Sequence, residues 1–243
     1  MTNAGNNQFY AGIKFGRFSF TLMISTPLFA VRGMAVCAAL VAGVACGSTV
    51  SPVLLAPDFE GREGVALAQF EGAGNAIKIQ HPRDGQQVRS AAQSFAWPSS
   101  QPLTGVGVQI AAATVWAADA KQDYELRIFS YDPAGKPPVV EPVVVFSFQV
   151  DASLAKAGNW LYVELPTPLR LDPKKGHGFQ LAAISTSGSI LALTSSHGAG
   201  NPYAKGIGTQ VTSNAPTVPP AGGAWDYAFF LTAAQPVAPS GGR

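Results

Sequence analysis

The chain has 243 residues, enough for one large domain or two small ones; 12% are charged and 47% hydrophobic, with 26 Gly and 19 Pro, a balance that excludes disorder and favours many short strands joined by tight turns. Lys14, Arg17 and Arg32 precede Gly47 while every acidic residue follows it, so the formal +2 becomes 13 basic against 14 acidic side chains from Gly47 onward. A near-neutral body has no electrostatic footprint for nucleic acid, and that partner is not expected.

Residues 18–31 and 34–45 are two apolar runs separated by Arg32 and Gly33. The second run is shorter than the roughly 20 residues a membrane helix needs, ends in small side chains and has Arg32 as a positive flank. Residues 1–46 therefore read as a leader of the signal-peptide type, which places the body in the periplasm, on the outer membrane or outside the cell. A single anchor through both runs would put Arg32 near the bilayer centre, at a cost of about 2.5–3.5 kcal/mol. The first 20 residues are long and polar for a signal, and Met23 and Met34 offer later starts. Two processing routes stay open. Gly43-Val44-Ala45 suits ordinary signal peptidase, while the same residues followed by Cys46 resemble a lipobox, with Gly43 where Leu is preferred. Lipidated Cys46 would tether the body, and membrane contact is expected only through leader or lipid. Cys37 and Cys46, the two cysteines, both lie in the leader, so the body is expected to fold without disulfides.

Residues 47–75 read as a spacer and covering segment, with a single strand or a covering loop at most in 57–74. Residues 76–233 read as an all-β domain, an antiparallel β-sandwich, with strands at 76–80, 88–97, 103–116, 124–131, 143–150, 160–165, 178–184, 190–195, 208–211 and 225–232. The breaks have explicit chemistry: Asp132-Pro133-Ala134-Gly135 is a turn with proline preset at its second corner, and the three prolines within 136–142 cannot continue a central ladder. Residues 151–158 offer at most a turn or two of helix, capped by Asp151 or Ser153 and closed by Gly158. Alternation sends Leu126 and Ile128, Val144, Phe146 and Phe148, and Leu161, Val163 and Leu165 inward; Glu125, Arg127, Trp160, Tyr162 and Glu164 point outward. The last strand is apolar on both faces, which encloses Asp226 and requires a partner for it. Residues 234–243 read as a flexible tail.

Local phrases in order along residues 93–232 carry a family resemblance: Gln93-Ser94-Phe95, Leu103-Thr104-Gly105-Val106-Gly107-Val108, Gly158-Asn159-Trp160 leading to Leu165-Pro166-Thr167-Pro168-Leu169, Gly176-His177-Gly178-Phe179, Asn201-Pro202-Tyr203 and Asp226-Tyr227-Ala228-Phe229. Together they resemble the secreted bacterial jelly-roll β-sandwich modules that are similar to non-catalytic carbohydrate-binding domains. The resemblance implies a jelly-roll topology and a binding rather than catalytic role.

Motifs for chemistry are missing from the sequence. It contains no G-x-S-x-G and no H-E-x-x-H, His81, His177 and His197 are far apart, and no glycine-rich loop opens a helix. No enzyme activity is expected. Glu125 and Glu164 would serve glycoside hydrolysis only if their strands were neighbours.

Two binding surfaces stand out. Trp160 and Tyr162 suggest an aromatic platform for sugar rings, with Glu164 and Arg127 binding hydroxyls; the alternative is that Trp160 folds over the edge as packing. In residues 195–203, His197, Asn201 and Tyr203 supply donors, acceptors and an aromatic face; the alternative is an ordinary connection that ties down its own backbone. Asp226, with Asp58 or Glu60, is a candidate for structural calcium, against a hydrogen-bonded structural aspartate. No other cofactor is expected. The expectation is an exported, non-catalytic binding module with polysaccharide or an envelope protein as partner; the competing class is a structural or protein-interaction module of the cell envelope without a small-molecule ligand.

Overall fold

The computed structural model describes residues 11–15, 18–22, 48–58, 64–132, 142–216 and 225–235. The chain separates into two compact units, Met1–Ala42 and Gly43–Arg243. In the first, β1 (Ala11–Phe15) and β2 (Phe18–Leu22) pair as an antiparallel hairpin. Residues 34–45, the second apolar run, and Cys46 lie outside the described residues.

The second unit is built by alternation. In β9 (Lys121–Tyr131), Tyr124, Leu126 and Ile128 are buried in the core. The partner β10 (Val144–Asp151) contributes Phe146, Phe148 and Val150 through an antiparallel register that sets Phe146 opposite Leu126. Burying each such side chain contributes about 1.5–3 kcal/mol before entropy is counted.

The remaining strands are β3 (Ser48–Thr49), β4 (Val53–Leu55), β5 (Val65–Gln69), β6 (Ile77–Ile79), β7 (Ser90–Phe95), β8 (Leu103–Gln109), β11 (Trp160–Leu169), β12 (Gly176–Ala183), β13 (Leu191–Leu193), β14 (Ile207–Val211) and β15 (Phe229–Ala233). They form a six-stranded sheet, β14-β7-β12-β9-β10-β3, a five-stranded sheet, β4-β11-β8-β15-β5, and a short ribbon, β13-β6. Every pairing is antiparallel except β3 with β10. One core joins all three, with Leu126 and Phe179 from the larger sheet, Val106, Val163 and Phe229 from the smaller, and Ile79 and Leu191 from the ribbon. The fold is thus all-β, with antiparallel-rich sheets packed together, compatible with a β-sandwich. Packing is close: the cavity among Val106, Val108, Leu126, Leu161, Val163, Phe179 and Leu181 measures about 10 Å³, and its walls are apolar.

Three boundaries differ from expectation. The stretch 47–75 is not a spacer in its first part, because Ser48–Thr49 and Val53–Leu55 close one edge of each sheet; strands of two and three residues are too short to show periodicity. The expected strand 103–116 ends at Gln109, where a turn follows, and Trp116 instead donates its indole N–H to Ala120 O at 3.1 Å. β11 runs on to Leu169, and its register with β8 lapses between Glu164 and Leu169, where Pro166 and Pro168 lack the N–H that a ladder uses. Residues 151–154 make a turn capped by Asp151, which accepts from Ser153 N at 2.8 Å and Leu154 N at 3.3 Å.

Candidate functional site

Trp160 and Tyr162 point away from the main core, as alternation requires, but they do not form a solvent-facing platform: they are 2% and 4% exposed. β8 places Gly105 and Gly107 on this outer face, and a Cβ on either would collide with the Tyr162 ring or the Phe230 ring, so the aromatics lie flat over the glycines. Phe230 stacks on Tyr162 with centroids 5.6 Å apart and meets Trp160 edge-on at 5.4 Å; Phe70 closes on Trp160 from the other side, also at 5.4 Å. The Tyr162 hydroxyl is 2.9 Å from Thr232 Oγ1. The expected platform is a second apolar cluster.

Arg127 is not solvent-facing either, being 7% exposed on the outer face of the six-stranded sheet. Its guanidinium pairs with Glu125 at 2.6 Å, donates to Gln180 Oε1 at 3.2 Å and donates to Asn214 O. Gln180 in turn donates to Ser90 Oγ at 2.9 Å and Ala215 O at 3.0 Å, so residues 213–215 are fastened over the sheet. Glu164 is exposed on the outer face of the other sheet. Arg127 and Glu164 therefore cannot share a ligand, nor can Glu125 and Glu164 form a catalytic pair, because the core lies between them.

The residues 195–203 are different. Asp226 is fully buried and sits beneath this loop, its carboxylate accepting from Gln93 Nε2 at 2.7 Å and Tyr203 N at 2.9 Å. Oriented to donate, the Asn201 amide also reaches this carboxylate and Tyr203 O at 3.3 Å. Ser196 Oγ accepts from Asp226 N at 2.8 Å and donates to Gly200 O at 2.7 Å. The loop needs glycine at 198 and 200, where φ is +86° and +123°, and Gly74 lets residues 72–75 press against its backbone. Tyr203 packs edge-on against Phe229 at 5.7 Å, and its hydroxyl accepts from Ala96 N at 3.0 Å.

Asp226 is thus the hydrogen-bonded hub of the loop. Its oxygens are committed to N–H donors, and the described residues contain no group of three or more His, Cys, Asp or Glu placed to hold a metal. Asp226 therefore has the bonding of a structural aspartate, the alternative that stood beside calcium; Asp58 is exposed in a turn, and Glu60 lies outside the described residues. Desolvation raises the Asp226 pKa, opposed by the bonds from Gln93 and Tyr203. His177, buried against the Phe95 ring, has its pKa lowered by desolvation; Nε2 lies 2.8 Å from Asp172 O and so carries the proton, leaving Nδ1 to accept from Ser130 Oγ at 2.9 Å.

What the loop leaves open is a recess of about 230 Å³ walled by Glu71, Ala73, Ser196, Ala199, Gly200, Asn201 and Pro202. His197 is exposed in the same loop and stands edge-on against Trp225, with centroids 5.3 Å apart. Asn201 and His197 were legible as candidates in the sequence. Glu71 and Trp225 were not, because only the pairing of segments 70–75 and 195–203 brings Glu71 near. The chain matches no protein-family model, no curated protein and no solved structure.

Proposed function

We propose that the protein is an exported, non-catalytic binding module of the jelly-roll β-sandwich type, with carbohydrate as its ligand class and the recess at residues 195–203 as its binding surface. The observation that carries this reading is the contrast within one loop: Asp226 fixes it from below, while Asn201, Glu71 and His197 remain exposed above. A surface whose loop is already ordered loses little entropy when a ligand docks. The Glu71 carboxylate and the Asn201 side-chain oxygen offer acceptors to hydroxyl groups, the His197 imidazole offers a donor and an acceptor, and the aromatic pair of His197 and Trp225 supplies an apolar face for a ring. Export is supported by the signal-like leader in the sequence.

Retention of the full chain on a panel of immobilised polysaccharides tests the reading. Glu71→Ala and His197→Ala, both surface changes, are expected to weaken retention about tenfold each, as charge-assisted or aromatic contacts of about 1.5 kcal/mol require. Absence of retention on every polysaccharide, or retention indifferent to both changes, would overturn it.

A further inference from the structure

The polar groups that wall the recess at residues 195–203 are of one kind. Of the described residues that line it, Glu71 alone is charged, and Ser196 and Asn201 are the other polar side chains. The Ser196 hydroxyl is engaged in both senses, accepting from Asp226 N at 2.8 Å and donating to Gly200 O at 2.7 Å. The Asn201 amide N–H groups go to the Asp226 carboxylate and to Tyr203 O, which leaves the side-chain oxygen for a ligand. Several backbone donors of the wall are engaged as well: Ser196 N bonds Asp226 O, Ala199 N bonds Ser196 O, and Pro202 has no N–H.

Glu71 is held by its main chain and not by its carboxylate. Gln69 donates from Nε2 to Glu71 O at 2.6 Å and accepts from Glu71 N at 2.9 Å, which pins the backbone beside the recess. The Glu71 side chain is exposed and makes no ion pair or hydrogen bond among the described residues. Asp226, buried beneath the loop, is a second carboxylate of the same sign, and its partners are amide N–H groups rather than a cation.

The side chains of the recess thus present acceptors and negative charge, with no donor of their own left over. A sugar hydroxyl can meet such an acceptor, but it brings one donor and no charge. A protonated primary amine brings three donors, no acceptor and the complementary charge, and charge-assisted hydrogen bonds are roughly twice as strong as neutral ones. Acetylation converts that amine to a neutral amide with a single N–H, so the recess is built to tell the two forms of one sugar apart. Its volume of about 230 Å³ is below the roughly 300–1,000 Å³ of drug-sized pockets, which sets the size at a single ring.

We infer that the recess, given that it is the carbohydrate site proposed above, takes an amino sugar whose amine is free and protonated. The Glu71 carboxylate is the group that discriminates against the acetylated and the plain hydroxyl forms.

Titration of the ¹⁵N-labelled full chain near neutral pH with the disaccharides of glucosamine, N-acetylglucosamine and glucose, and with cadaverine as an amine without a ring, is the test. The glucosamine disaccharide is expected to shift the amides of residues 71–73 and 196–201 saturably and to bind about tenfold more tightly than the other three, the scale of one charge-assisted hydrogen bond. Glu71→Gln removes the charge of an exposed side chain and keeps its shape. It is expected to bring the glucosamine disaccharide down to the affinity of its acetylated form. Equal or tighter binding of a neutral disaccharide, equal binding of cadaverine, or a preference that survives Glu71→Gln would overturn the inference; neutral disaccharides shifting the same amides would in that case leave the recess standing as a carbohydrate site. No shift with any of the sugars would remove both.

Discussion

The outer faces of the two sheets have the same pattern in the sequence and opposite chemistry in the structure. On the five-stranded sheet, Tyr162 and Phe230 lie over Gly105 and Gly107 and, with Trp160, make a second apolar cluster. On the six-stranded sheet, Arg127, Glu125, Gln180 and Ser90 make a hydrogen-bonded network capped by residues 213–215. Both sets are outward, and both are largely covered. Alternation along a strand assigns a side chain to a face; whether that face is covered depends on partners far away in the chain.

The largest expected effect tests the apolar face. Trp160→Ala should destabilise the protein by about 3–5 kcal/mol in urea denaturation, as a fully packed aromatic does. A change within about 0.5 kcal/mol would mean the ring stands in solvent after all. Next comes the polar face, where Arg127→Ala leaves Glu125, Gln180 Oε1 and Asn214 O without their donor. Breaking a buried pair costs about 3–5 kcal/mol; because Glu125 keeps 24% exposure, about 2–3 kcal/mol is expected by the same measurement. Added salt should reduce the effect of Arg127→Ala and leave that of Trp160→Ala unchanged, which separates the two faces by mechanism.

The smallest effect is a pH dependence that belongs to neither face. His177 and Asp226 both lie between the sheets or at their end, with pKa values shifted in opposite directions by the same cause, burial. The folded pKa of His177 is below its ordinary 6.5, so the unfolded chain binds the proton first and stability falls as pH drops from 6.5 toward the folded value. The folded pKa of Asp226 is above its ordinary 3.8, so its contribution is greatest below 3.8 and is lost as pH rises through the folded value. Urea midpoints between pH 3.5 and 8 should therefore show two limbs. His177→Gln is expected to flatten the upper limb and Asp226→Asn the lower, while Trp160→Ala shifts the whole curve without changing its shape.

Much of the scaffold was legible because its signal is local. The inward series Leu126 and Ile128, Phe146 and Phe148, and Leu161, Val163 and Leu165 all enter the core, and alternation within each strand is enough to see it. The covered faces were not legible because their cause is register. Tyr162 pairs with Gly107, and Gly107 with Phe230, so three segments must be aligned before the glycine trough and its aromatic lining appear. The candidate loop was half legible: its glycines, Asn201 and Tyr203 mark it as special, and Asp226 is visible as an enclosed carboxylate. Their meeting depends on the Ser195–Tyr227 bridge, which nothing nearby in the sequence announces.

The seam at residues 48–55 has a mechanical consequence. It reaches one layer through Ser48–Thr49 beside β10 and the other through Val53–Leu55 beside β11, with Val50 N bonded to Ser147 O on the way. A pull applied at Ser48 is therefore shared between the two layers through one short segment, and neither sheet can be loaded from this edge without the other.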